Sequence, residues 1–168
     1  MSASSEPSGH TLVLALGNPL RGDDGVGAAV LQSLAESGRL PAGTDLVDGG
    51  SCGLETALLL QDYRRAIIVD AADMDLAPGS WTCFQAEQVE LRSGDLRQIG
   101  TVHSAGLGEA LQLGEALGTL PPDVWIYGIQ PRELGWEPGL SEAARLAVPA
   151  VCQAILESIG CPQGPGDH

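Results

Sequence analysis

There is no lysine in this 168-residue chain, so its eight cationic side chains are all arginines, set against 22 acidic ones for a formal net charge of −14. Three chemistries fall away with lysine. No side-chain amine is available for a Schiff base. No P-loop can operate, because Asp23 follows the Walker-like spacing of Gly17 and Gly22 where the phosphate-binding lysine belongs. Nucleic acid has no basic face to bind, since phosphate contacts need a positive stripe. A cationic partner surface suits the chain better, although acidity alone usually signals only solubility.

Aromatic residues make up only 4% of the sequence against 43% hydrophobic, so the core must be built from Leu, Val, Ile and Ala. Trp81, Trp125 and Trp136 are read as core or loop packing. The cysteines, Cys52, Cys83, Cys152 and Cys161, include no Cys-x-x-Cys pair. That spacing argues against a zinc ribbon, an iron–sulfur cluster or a thioredoxin motif, and points to reduced thiols in an intracellular protein. No apolar stretch approaches the roughly 20 residues of a membrane-spanning helix. The segment Met1–His10 has no basic region followed by an apolar run, so no secretory signal is read there. A cytoplasmic protein without membrane insertion is expected. No internal repeat or long linker divides the chain, so a single domain at 11–159 between disordered tails at 1–10 and 160–168 is expected.

What the sequence does contain is alternation. Thr11–Leu16, Thr44–Val47, Ala66–Val69, Trp81–Gln85 and Val124–Ile129 read as strands. Asp24–Ser37, Leu54–Tyr63, Ala105–Leu117 and Ser141–Ile159 read as helices, with Gly38 closing the first and Ser141 capping the last. This predicts a three-layer α/β fold, a twisted and mostly parallel sheet with helices on both faces. Glu87–Val102 is polar and lacks a period, and is expected to be a long mobile loop.

In such a sheet, ligands bind at the carboxyl ends of the strands. Three strands lead there into acidic residues: Asp23 and Asp24, Asp48, and Asp70. Adjacent acids at a helix start are most simply caps, favoured by the helix dipole. Asp48 is preferred as a turn residue bonding the Gly49-Gly50 backbone. His103 follows the long loop and precedes a helix, which would set it over the same edge. Carboxylates with one imidazole form a hard, mixed ligand set for a divalent metal such as Ni, Zn, Mn or Fe, and equally a general base with its partner. Nucleophiles fit less well. Ser104 adjoins His103 on the chain, no Gly-x-Ser-x-Gly elbow occurs, and Cys52 is read as a small buried thiol before a partner of His103. His10 and His168 lie in the tails. A dinucleotide site around Gly22, Gly25 and Gly27 fails on glycine order, and Asp23-Asp24 would repel a pyrophosphate.

Five segments, taken together and in order, resemble the hydrogenase maturation endopeptidases. They are Gly17-Asn18-Pro19-Leu20-Arg21-Gly22-Asp23-Asp24-Gly25-Val26-Gly27, Val47-Asp48-Gly49-Gly50-Ser51-Cys52-Gly53-Leu54-Glu55, Ala66-Ile67-Ile68-Val69-Asp70-Ala71, Val102-His103-Ser104-Ala105-Gly106-Leu107 and Tyr127-Gly128-Ile129-Gln130-Pro131. The resemblance implies a twisted five-stranded sheet between helices and removal of a C-terminal extension from the large-subunit precursor of a nickel–iron hydrogenase. It implies Asp24, Asp70 and His103 as the catalytic and nickel-recognising residues of an aspartyl-type peptidase. The nickel is then supplied by the precursor, with no tightly held cofactor of the enzyme's own, and a monomer is expected. One departure is Ser104, where the family often has a polar or acidic residue after the histidine. A non-catalytic nickel-binding assembly factor on the same fold is the alternative.

Overall fold

The computed structural model describes residues 10–50, 54–86, 104–132 and 134–160. The expected loop at 87–102, Cys52, His103 and the tails through residue 9 and from residue 161 lie outside the described residues. The elements are β1 (Thr11–Leu16), a 3-10 turn (Gly22–Gly25), α1 (Val26–Ser37), β2 (Thr44–Gly50), α2 (Leu54–Leu60), β3 (Arg65–Ala71), β4 (Trp81–Gln85), α3 (Ser104–Leu117), β5 (Asp123–Ile129) and α4 (Glu142–Gly160). The strands form one five-stranded sheet in the order β2-β1-β3-β5-β4. All neighbours are parallel except β4, which runs antiparallel to β5.

The apolar runs explain this order. β1 and β3 are buried almost throughout, as strands covered on both faces must be. β2 and β4, which take the edges, carry partly exposed residues. Strand alternation divides the core in two. Val13, Ala15, Ile67, Val69 and Ile129 pack under α1 and α4, with Val30, Leu34, Val151 and Ile155. Leu12, Leu14, Leu16, Ile68 and Ile126 pack under α2 and α3, with Leu60, Leu107 and Leu111. Each fully buried Leu, Ile or Val stabilises the fold by about 1.5–3 kcal/mol relative to exposure. The α/β expectation is met.

Some boundaries move. The helix expected from Asp24 begins at Val26, because Asp23 and Asp24 occupy the 3-10 turn, and no side chain caps α1. Gly38 closes α1 in the left-handed region at φ 64°. α2 stops at Leu60, and the Tyr63 hydroxyl then donates to Asp45 Oδ2 at 2.9 Å, tying the chain to β2. Burial, followed by the Asp45 carboxylate, pushes that phenol up to about 12. By length and mean hydropathy α4 is long and apolar enough to cross a membrane, which corrects the expectation that no stretch is. Val148, Val151 and Ile155 of that helix lie in the core beside α1. Cys83 and Cys152 are free thiols; burial pushes the Cys152 thiol up, against a smaller opposing effect of a hydrogen bond from Ser33.

The seat of α1 on the sheet is set by Gly27. A Cβ there would stand 2.8 Å from the Val69 carbonyl oxygen and 2.9 Å from that of Leu16. These are backbone atoms that cannot swing aside, so the helix start rests directly on the carboxyl ends of β1 and β3. Gly27→Ala is expected to destabilise the protein by about 1–3 kcal/mol through overpacking. At this size each kcal/mol lowers the melting temperature by about 2–4 °C, so calorimetry reads the effect directly.

Candidate active site

β1 leads to β2 on one side of the sheet and the chain then returns to place β3 on the other, so a topological switch point lies between β1 and β3. A crevice forms at the carboxyl ends of two such strands, and ligands bind there. The loop leaving β1 is folded back on itself. Gly17, at φ 118°, donates to the Gly50 carbonyl at 2.9 Å. A Cβ on Gly17 would overlap the Asp24 carbonyl oxygen and lie 3.2 Å from Asp24 Oδ1, so only glycine lets the two ends of this loop touch. The Asn18 backbone N–H donates to Asp24 Oδ2 at 2.8 Å, while Asn18 Oδ1 accepts from the Leu20 N–H at 2.9 Å. Asp24 is fully buried, and the 3-10 turn that carries it packs against β3.

Asp70, also fully buried, is the penultimate residue of β3, one position beyond the Ala15–Val69 pair. Alternation puts it on the face of Ala66 and Ile68, the face that α2 and α3 cover. Its register partner on β5 is Gly128, so no β5 side chain stands beside it. The structure thus brings Asp24 and Asp70 to one end of two adjacent strands. His103 lies outside the described residues; α3, which begins at the next residue, packs by Leu107 and Leu111 on the Asp70 face. Among the described residues alone, no group of three or more His, Cys, Asp or Glu side chains is arranged to hold a metal ion.

Two other acids of the strand ends have structural work. Asp48 lies inside β2, which runs on to Gly50 and so corrects its reading as a turn residue, but its Oδ1 accepts from the Gly50 N–H at 3.1 Å, the backbone bond expected of it. Asp23 reaches across to the start of α4. Its carboxylate accepts from the Arg132 N–H at 2.7 Å, the Ser141 N–H at 2.6 Å and the Ser141 hydroxyl at 2.7 Å. The Ser141 hydroxyl in turn accepts from the Ala144 N–H at 3.3 Å, capping α4 as expected. Asp23 therefore fastens the β5–α4 loop and does not cap its own helix.

Sequence reading left Gln130 without a role. Its buried carboxamide uses every donor and acceptor it has. Oε1 accepts from the Met74 N–H at 2.7 Å and the Leu76 N–H at 3.3 Å; Nε2 donates to Asp73 Oδ1 at 3.2 Å and to the Pro131 carbonyl at 3.3 Å. It clamps the segment that follows Asp70. The signal was a lone amide at the end of a buried strand, visible only as part of Gln130-Pro131. Trp81 and Trp125 pack on the core as expected, whereas Trp136, 77% exposed, is outside the core and packs only in its loop, under the Arg21 guanidinium. A cavity of about 280 Å³ lined by Gln85, Glu115, Leu120 and Val124 lies near the start of β5, at the opposite end of the sheet from Asp24 and Asp70.

Asp23→Asn turns an amide N–H toward backbone donors, and is expected to lower stability by on the order of 2 kcal/mol in urea unfolding. Gln130→Glu loses both donors and sets a carboxylate against Asp73 and the Pro131 carbonyl. A loss of about 2–4 kcal/mol is expected by the same measurement.

The family model for hydrogenase maturation protease matches residues 28–158. A hydrogenase expression/formation protein from Azotobacter vinelandii is 31% identical over 149 residues, covering 88% of this chain and 71% of that one. The chain spans 60% of a further such protein, from Azotobacter chroococcum. Among solved structures, the hydrogenase 2 maturation peptidase of a Thaumarchaeota archaeon is 33% identical with TM-score 0.69, covering 90% of this chain and 98% of its own. The nickel–iron hydrogenase maturation protease HybD of Thermococcus kodakarensis is 26% identical with TM-score 0.75, covering 89% and 99%. Fold, motif order and matched length agree: this chain belongs to the hydrogenase maturation proteases, hydrolases of the endopeptidase type.

Proposed function

We propose that this protein removes a C-terminal extension from the large-subunit precursor of a nickel–iron hydrogenase, and that nickel already inserted in the precursor is what it recognises. The observation that carries the reading is the pair of fully buried carboxylates, Asp24 and Asp70, at the carboxyl ends of β1 and β3. Burying two acids at a ligand-binding edge is costly, and a hard cation arriving with the substrate offsets that cost. His103 supplies the imidazole that completes the set. Three protein ligands leave positions open for groups of the precursor.

Cleavage adds water across the scissile amide, leaving a carboxylate on the shortened subunit and placing the proton on the departing amine. Nickel of the substrate supplies Lewis-acid polarisation or an acidified water. Asp24 is positioned by the Asn18 N–H and by the tight Gly17 turn, and Asp70 by its place in the central strand. Either carboxylate can take a proton from the attacking water.

Incubation with nickel-loaded precursor, followed by mass spectrometry, is expected to yield a shortened subunit and a free C-terminal peptide. Metal-free precursor is expected to stay intact, and treating the peptidase with chelator beforehand to change little. Asp24→Asn, Asp70→Asn and His103→Ala should each lower the cleavage rate by about 10²-fold or more. Efficient cleavage of metal-free precursor overturns nickel recognition. Binding of the loaded precursor without any cleavage supports an assembly factor in place of a peptidase.

A further inference from the structure

A surface beside the crevice takes no part in the chemistry above. The Gly22 N–H donates to the Glu137 carbonyl at 2.8 Å, joining the 3-10 turn to the loop before α4. That joint brings the Arg21 guanidinium over the Trp136 ring, 4.7 Å from its centroid. Arg21 Nη2 reaches the Leu134 carbonyl at 3.5 Å, and Nε is buried with no hydrogen-bond partner among the described residues. No described carboxylate pairs with this guanidinium, in a chain with 22 acidic residues against eight arginines. Trp136 nonetheless remains 77% exposed and Leu20 62% exposed. A cleft of about 450 Å³ opens alongside, lined by Gly22, Trp136, Pro138 and Leu140.

We propose that Arg21 and Trp136 form a docking subsite for the precursor segment that enters the crevice. Arg21 pairs with an acidic side chain of that segment, and Trp136 covers the apolar side chain next to it. The proposal rests on the peptidase reading above and names what that site reads in its substrate. A guanidinium stacked on an indole holds its N–H groups in one plane, a geometry that matches a carboxylate, and with Nε buried the pairing falls to the Nη edge. Exposed tryptophan and arginine are also the residues that concentrate binding energy at interfaces. Arg21 lies three residues before Asp24 on one tightly folded loop, so a segment held there is presented to the buried carboxylates. The chain as a whole, at net charge −14, repels an acidic segment, so an arginine with no carboxylate partner among the described residues fixes its register.

The test uses the full chain with nickel-loaded large-subunit precursor. Trp136→Ala and Arg21→Gln are each expected to raise KM by about tenfold while kcat changes less than about twofold, as losses confined to binding do. Trp136→Phe keeps an aromatic face and is expected to lie close to the parent. Raising the salt concentration should raise KM for the parent and leave Arg21→Gln nearly unaffected. Neutralising the acidic residues that flank the cleavage point one at a time should raise KM for the parent at one position, and not for Arg21→Gln. Unchanged KM in Trp136→Ala overturns the subsite, and that exposed position keeps the test decisive even if Arg21→Gln disturbs folding. A response to the precursor's terminal carboxylate alone overturns the acidic side chain as the group read. If the parent binds precursor without cutting it, the peptidase reading fails, and dissociation constants of the same variants still decide the subsite.

Discussion

Everything at the candidate site depends on backbone touching backbone where α1 meets the sheet. Gly27 lets the helix start rest on the Leu16 and Val69 carbonyls, and Gly17 lets the loop after β1 close on Asp24. Neither contact admits a side chain. Their joint effect is to press the 3-10 turn against β3, which shields Asp24 from water and sets it beside the strand that carries Asp70. A looser seat would leave both carboxylates hydrated and ordinary. The geometry of the site is thus a consequence of close packing at glycines, not of the acids themselves.

The acidity of the chain takes on a different meaning at this edge than on the surface. Solvated carboxylates repel one another weakly through water, whereas buried ones require specific partners. Asp23 shows one solution, three hydrogen bonds from the β5–α4 loop. Asp24 holds the Asn18 N–H within its own loop. In a 3-10 turn successive side chains diverge by about 120°, so two neighbouring acids serve different elements. One anchors the last helix and the other holds the loop after β1. The two cannot be exchanged, although they have the same chemistry and adjacent positions.

That divergence marks where sequence reading stops. The central strands were legible because strands covered on both faces must be apolar without interruption, as in Leu12–Leu16 and Ala66–Val69. The carboxyl-end acids were legible because a parallel sheet gathers those ends along one edge. Asp48 was legible because a carboxylate before Gly-Gly has an obvious local partner. What could not be read was any role decided by a partner far along the chain. Asp23 bonds Ser141, Gln130 bonds Met74 and Leu76, and Arg21 stacks on Trp136. Local pattern carries no trace of these pairings, so Asp23 looked like a cap, and Trp136 like core or loop packing with no partner named.

The long-range pairings share a geometric cause. Asp23 and Gly22 hold the loop before α4, and Gln130, at the end of β5, holds the segment after β3. The loops that border the crevice are therefore fixed to the strand ends by single polar residues, with Leu140 packing the loop before α4 on the core. Such fastening is specific in direction and modest in strength, since each hydrogen bond contributes about 0.5–1.5 kcal/mol net, more where a carboxylate accepts it. The sheet and its two apolar layers carry the stability of the domain. The polar fastenings carry its shape at one end, the end that holds Asp24 and Asp70. A rim built this way keeps the buried carboxylates registered with the Arg21–Trp136 pair, because one loop supplies Arg21, Asp23 and Asp24.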